Sequence, residues 1–238
     1  MRAGLTLRLR RFRSAEDGLA AVELALILPV LMVIMLGGIQ LVAYINATRK
    51  AELVVQSISQ MISQSQPPGG STVATVNATD LHFSFDAALV LFPYLMVEGK
   101  RRNTAWSQVI TINYASIQFT QTATNCSDST DLSACYRADV VWTSTGTQQP
   151  ASGAAYRPCG TPQIAAANTA PPSRTALPRS IFGPAGVVVI DVVFAFTPTF
   201  GARYLPSLTI SRSAYVQPRY ATLVDYDITN NDGIASKC

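Results

Sequence analysis

The hydrophobic pattern of this chain changes character along its length. From Leu24 to Ile39 no side chain is charged or strongly polar; Gln40 interrupts, and Leu41 to Ile45 resume the run. Counted from Leu19, the 27 residues to Ile45 hold a single charge, Glu23. A helix of that length rises about 40 Å, enough to cross a hydrocarbon core of about 30 Å. Past Asn46 the apolar residues thin out to Leu53, Val54, Ile58, Met61 and Ile62, spaced by three and four. That period predicts a continuing helix with one apolar face, docked on the rest of the chain. Gln66-Pro67-Pro68-Gly69-Gly70-Ser71 stops it and marks the clearest linker.

The remainder reads as short elements. Asp80 to Val97 contains a helical pattern that ends before Pro93. Val109 to Phe119 alternates as a strand whose phase slips near Ala115, the sign of a bulge. Asp139-Val140-Val141-Trp142 is a shorter run. Val188, Ile190, Val192, Phe194 and Phe196 alternate with smaller residues and with Asp191, predicting a half-buried strand. Leu208, Ile210, Ala214 and Val216 alternate with polar neighbours in the same way. Thr143 to Pro184, rich in Gly, Pro, Ser, Ala and Thr, predicts a loop-rich, irregular insertion. The expected fold class is α+β: a long N-terminal transmembrane and amphipathic helix, then a small antiparallel β-sheet ectodomain. The corresponding divisions are a basic leader at 1–18, the transmembrane and extended helix at 19–65, and an exported domain at 66–238 with the insertion at 143–184.

Charge adds an orientation to this picture. Only 13% of the 238 residues are charged, about half the usual ~25% of soluble domains. The net charge of +4 is concentrated in the leader, where Arg2, Arg8, Arg10, Arg11 and Arg13 face only Glu16 and Asp17. The other 220 residues carry 13 basic and 12 acidic side chains, and only three lysines, so no basic face for nucleic acid is expected. Arginines before the apolar run predict a cytoplasmic N-terminus and an exported body, single-pass in a bacterial inner membrane and in contact with its lipid. A cleaved secretory signal ending near Asn46-Ala47 is the alternative, although such signals have apolar regions of only about 7–15 residues.

Glu23 and its surroundings carry the functional signal. A carboxylate costs about 2.5–3.5 kcal/mol near a bilayer centre and marks function by default, although one near the helix end can also snorkel. Five residues before it stands Gly18, unhindered and accessible to a membrane peptidase. Cleavage after Gly18 would free an ammonium group on Leu19, and Glu23 could pair with the terminal amine of a neighbouring subunit and set register in an assembly. Pro29 removes one intrahelical hydrogen bond and predicts a kink, whether a mechanical hinge or a fixed bend.

The basic leader, Gly18 and the stretch Gly-Leu-Ala-Ala-Val-Glu-Leu-Ala-Leu-Ile-Leu-Pro-Val-Leu resemble the class III signals of type IV pilin-like proteins. They resemble in particular the TadE-like pseudopilins of the tight-adherence (Flp, Tad) pilus. Gly37-Gly38 and the following polar helix extend the likeness; Phe196-Thr-Pro-Thr-Phe-Gly and Ser213-Ala-Tyr-Val-Gln-Pro-Arg219 add a weaker second match. Leu24 departs from the family, which commonly has an aromatic residue after the glutamate. The resemblance implies cleavage by a prepilin peptidase between Gly18 and Leu19, with Glu23 as the acidic assembly position. It also implies partners among other pilins and pseudopilins and the inner-membrane pilus assembly platform. The main Flp pilin is very short, so an ectodomain of this size implies a minor component that is incorporated in the fibre or initiates it.

All four cysteines lie beyond the apolar run, and an even count in an exported domain predicts two disulfides. Of three possible pairings, Cys126 with Cys135 closes a polar loop and leaves Cys159 for Cys238. A zinc site is disfavoured, because no Cys-x-x-Cys pair exists and the single His82 is distant in sequence. His82, between Leu81 and Phe83, is expected to be packed. No nucleophile elbow, P-loop, His-Glu-x-x-His or dinucleotide fingerprint occurs, so neither an enzyme nor a cofactor is expected. The competing readings are an unprocessed, signal-anchored periplasmic binding protein or adhesin and, behind it, a periplasmic hydrolase.

Overall fold

The computed structural model describes residues 17–123, 126, 131–148, 151–200 and 206–238. Its first element, α1, is one continuous helix of 47 residues, Asp17–Ser63, running uninterrupted through Pro29. Up to Asn46 this helix groups with Pro198–Pro206 as one unit, and Ala47–Thr197 with Ser207–Cys238 form a second.

In the second unit α1 buries a single stripe: Ala47, Ala51, Val54, Val55, Ile58 and Ile62. The recurrence at three and four is that of one helix face. Leu53 and Met61, expected on this face, sit beside it and are 42% and 40% exposed. Small alanines take their place because they admit a close approach, which a ranking by hydrophobicity does not detect. The helix end is held from a distance in sequence. The Arg219 amide donates to the Ser63 carbonyl at 2.9 Å, and its guanidinium to Gln60 Oε1 at 2.7 Å. The first bond satisfies one of the carbonyls a helix leaves open at its C-terminus.

After β1 (Val73–Val76), α2 (Ala78–Leu91) begins with a capping box. Asn77 Oδ1 accepts from the Asp80 amide at 3.1 Å, and the Asp80 carboxylate accepts from the Asn77 amide at 3.0 Å. The helix stops before Pro93, and α3 (Tyr94–Arg102) departs at 91° to it. Pro93 stands immediately before α3, where its missing N–H leaves no bond unmade. Gly99 of α3 permits a tight return, since a Cβ there would lie 2.9 Å from the Thr104 carbonyl oxygen. Glu98 of α3 is fully buried and accepts from Arg101 and Arg102, each at 2.6 Å. Burial alone would raise its pKa, but the two guanidiniums outweigh it and hold the carboxyl below its ordinary value. The same arginines reach the end of the strand Val187–Phe196, Arg102 to the Ala195 carbonyl and Arg101 to the Thr197 carbonyl at 2.6 Å.

The main sheet comprises β2 (Ile110–Gln121), β3 (Tyr136–Gln148), β4 (Ala151–Ala155), β7 (Val187–Phe196), β8 (Leu208–Val216) and β10 (Ala235–Lys237). Its order is β10-β3-β2-β7-β8 with β4 on β3, and every pairing is antiparallel. Two parallel pairs lie apart from it: β1 with β9 (Leu223–Tyr226), and β5 (Ile164–Ala166) with β6 (Ala176–Pro178). The fold is therefore α+β, a long apolar helix followed by a mostly antiparallel sheet domain. The β2–β3 register shifts between Ser116 and Ile117, one residue beyond the phase slip visible near Ala115.

Two sequence expectations need correction. Strand β7 is not half-buried: it lies between β2 and β8, and its first six residues, Asp191 included, are buried. Asp191 tolerates this because Arg157, itself fully buried, donates through Nη2 to Asp191 Oδ2 at 2.8 Å. The Ser213 hydroxyl donates to Oδ1, while Arg157 Nη1 donates to Gln163 Oε1 at 2.6 Å. Nor is 143–184 irregular throughout, because its first residues complete β3, with Thr143 and Ser144 buried, and it contains β4, β5, β6 and Arg157.

Replacing Asp191 by Ala leaves the Arg157 guanidinium buried without its counter-charge, and is expected to cost about 3–5 kcal/mol. The double variant Arg157→Met/Asp191→Leu should cost clearly less. Denaturant unfolding of the detergent-solubilised chain measures both, with buried Trp142 as the fluorescent reporter. Equal losses in the two would show that the cost does not come from leaving the guanidinium unpaired.

Candidate functional site

From Val22 α1 is long and apolar enough to cross a membrane. Its exposure pattern there differs from that of a helix lying on a soluble domain. Consecutive residues Val30 to Met35 are each at least half exposed, and six consecutive residues cover the whole circumference. A helix apolar all round is covered by lipid or by other helices. Gly37 and Gly38 add to this smooth surface, with nothing within 4 Å of where a Cβ would stand.

Gly18 and Leu19 lie in the first turn of α1, which begins at Asp17; their side chains fall outside the described residues. The bond between them therefore sits where helices fray most readily. Glu23 follows one turn later, exposed, and is the only charged residue between Asp17 and Arg49. Helical side chains tilt toward the N-terminus, so the Glu23 carboxylate leans toward the turn that contains Leu19. Pro29, six residues further, has no N–H to donate to the Ala25 carbonyl.

The cysteines belong to the other unit and are paired: Cys126 with Cys135 at a Cα separation of 5.9 Å, and Cys159 with Cys238 at 5.3 Å. The first joins Cys126 to the residue immediately before β3. The second ties the insertion to the edge strand β10, two residues beyond Arg157 and one beyond Lys237. The residues expected to serve processing and register thus belong to one unit and the disulfide cysteines to the other.

His82 is not packed as its neighbours predict; its Nε2 lies 2.6 Å from the Asp232 carboxylate, both partly exposed. Burial would raise the Asp232 pKa, but the hydrogen bonds from His82 and the Ile234 amide, with the other favourable contacts, together lower it instead. Among the described residues no group of three His, Cys, Asp or Glu side chains is placed to hold a metal ion. Phe83 and Val90 of α2 stand exposed beside Met61 of α1, lining an open, apolar groove.

Sequence reading missed three partnerships: Arg157 with Asp191, Glu98 with the two arginines, and Gln40 with the Thr199 amide at 3.1 Å. Each had one visible half, a polar side chain in an apolar strand, helix or span. The other half lay too far along the chain to be identified.

A long helix, apolar enough from Val22 to cross a membrane and with Glu23 as its one charge between Asp17 and Arg49, is thus joined to a disulfide-bonded α+β domain. Residues 18–58 match the family model described as TadE-like protein, a family of pilus structural and assembly proteins. The match opens at Gly18 and extends into the buried stripe of α1, and it is consistent with a TadE-like protein of the Tad pilus system. No curated protein and no solved structure matches the chain.

Losing the long disulfide loop should matter more than losing the short one. The chain-entropy model gives roughly 4.5 kcal/mol for the Cys159–Cys238 link and roughly 2.6 kcal/mol for Cys126–Cys135. Cys159→Ser is therefore expected to lower the unfolding midpoint further than Cys126→Ser. Denaturation curves of both variants, with non-reducing electrophoresis to confirm the remaining bond, measure the difference. The reverse order would show that strain or packing at the short loop outweighs chain entropy.

Proposed function

We propose that this chain is a minor pilin-like structural or assembly protein of a Tad (Flp) pilus. Its precursor is held in the inner membrane by α1, N-terminus in the cytoplasm and the sheet domain in the periplasm. A prepilin peptidase cuts it after Gly18. Its partners are other pilins and pseudopilins and the inner-membrane assembly platform. The observation that carries this reading is the family match beginning at Gly18, with Glu23 the single charge on an otherwise lipid-type surface.

The chemistry of the step supports it. Cleavage releases the Leu19 ammonium at the first turn of the helix, where the macrodipole already places partial positive charge. A carboxylate one turn away on the same chain, or at the same level on a neighbour, would neutralise it in a low dielectric. Pairing with the neighbour fixes the axial stagger between subunits, and pairing within the chain competes with it. The sheet domain is large relative to the helix, which fits a subunit used sparingly or at a tip.

N-terminal sequencing of the protein recovered from membranes tests the reading. A start at Leu19 is expected. An intact Met1 favours an unprocessed, signal-anchored binding protein or adhesin, and a start near Thr48 overturns both. Glu23→Ala should leave membrane insertion intact while reducing pilus assembly, scored by sheared-fibre yield. Normal fibre yield from that variant would remove Glu23 from the assembly role.

A further inference from the structure

The start of the loop joining β7 to β8 contacts α1 inside its apolar stretch, through Thr199. Pro198–Pro206 groups with the helix up to Asn46, and the Thr199 amide donates to Gln40 Oε1 at 3.1 Å. Between Val22 and Ile45, Leu36, Gln40, Ala43 and Tyr44 alone are half-covered, and every other position is exposed. Their spacing of four, three and one is a single stripe, so the helix is covered from one side over its last turns only.

The depth of this contact identifies what surrounds it. Twenty helical residues span about 30 Å of hydrocarbon, so a core that begins at Leu24 extends to about Ala43. Gln40 then lies in the last turn of the core. Non-helical backbone is tolerated at that depth only where its polar groups are satisfied. The first two loop positions meet this condition for their N–H groups: Pro198 has none, and that of Thr199 is taken up by Gln40. Gln40, the one amide in the apolar run, thereby gains a partner that offsets its own burial. Phe200, the next residue, leaves a ring 47% exposed beside a helix whose surface is otherwise apolar. At the loop's stem, Arg101 and Arg102 hold the Thr197 carbonyl and hydroxyl, so the entry is braced before the chain leaves the sheet.

We propose that residues 198–200, at the start of the β7–β8 loop, are a second membrane-contact element. Phe200 seats in the phospholipid interface at the outer edge of the hydrocarbon core, and the Thr199–Gln40 bond holds it in register with α1. The inference rests on α1 being a membrane span, and the test separates the two ideas.

The full chain is reconstituted at low density in phosphatidylcholine vesicles, with acyl chains either plain or brominated near the headgroup. Tryptophan is added singly as Leu31→Trp within the span, Phe200→Trp in the loop, or Tyr220→Trp. Tyr220 is exposed and adjoins Arg219, which is bonded to Gln60 and Ser63, twenty and more helical residues past Gln40. Emission above that of the parent chain is compared between the two lipids. Bromolipid should quench the added emission of Leu31→Trp and Phe200→Trp by about half or more and leave Tyr220→Trp unchanged. Quenching at Leu31 without quenching at Phe200 overturns the loop's lipid contact and leaves the span standing. No quenching at Leu31 overturns the span and the proposal together, and equal quenching at Tyr220 overturns the claim that the loop is a distinct contact. Adding Gln40→Leu to Phe200→Trp should weaken the quenching, and an unchanged value removes the register role of Gln40.

Discussion

One helix has to satisfy two surroundings. Along its first part α1 presents apolar side chains in every direction, and from Ala47 onward it buries only one stripe and leaves the rest to water. No break, cap or turn separates the regimes; the helix passes from one to the other within a turn near Asn46. Backbone hydrogen bonding makes this possible. A helix closes its polar groups internally whatever surrounds it, so only the side chains need to change. The family match bridges the same change, from Gly18 to residue 58, which indicates that the two halves are read as one element.

The sheet domain solves a related problem in its interior. Strand β7 has neighbours on both sides and carries an aspartate at its centre. An arginine from a short-stranded excursion supplies the counter-charge, and Gln163 and Ser213 occupy positions around the pair. Such a pair contributes little net stability compared with apolar residues of equal volume, and much selectivity. It specifies where the excursion must dock, because few other positions of the segment offer a guanidinium to a buried carboxylate. The Glu98 cluster does the same for α3, fixing a short helix to the exit of β7.

What could be read in the sequence was what is periodic and local. The apolar run, the stripe at Val54, Ile58 and Ile62, the stop at Pro93 and the slip near Ala115 are all encoded within a few residues. Burial of a charge is not local, since Asp191 looks like a solvent-facing strand position until Arg157, 34 residues earlier, is brought beside it. Likewise Gln40 reads as an interruption, and only contact with Thr199, 159 residues away, gives it a partner. His82 was misjudged for the converse reason: apolar neighbours in sequence say little about which way a helical side chain points. The candidate processing residues were legible because their signal is linear, a glycine, a glutamate and an apolar run in fixed order.

The pairing of β1 with β9 has a consequence for how such a chain comes together. Val73 aligns with Leu223, and Arg219 caps Ser63, so the segment that follows the helix is completed by residues made about 150 positions later. Contacts this distant in sequence slow folding, because a long loop must close before they return any energy. During that interval the Val54–Ile58–Ile62 stripe has not yet gained its cover. Aggregation risk is therefore concentrated in time rather than in any surface of the finished molecule. A chain of this design favours an environment where something else shields that stripe until the last strands arrive.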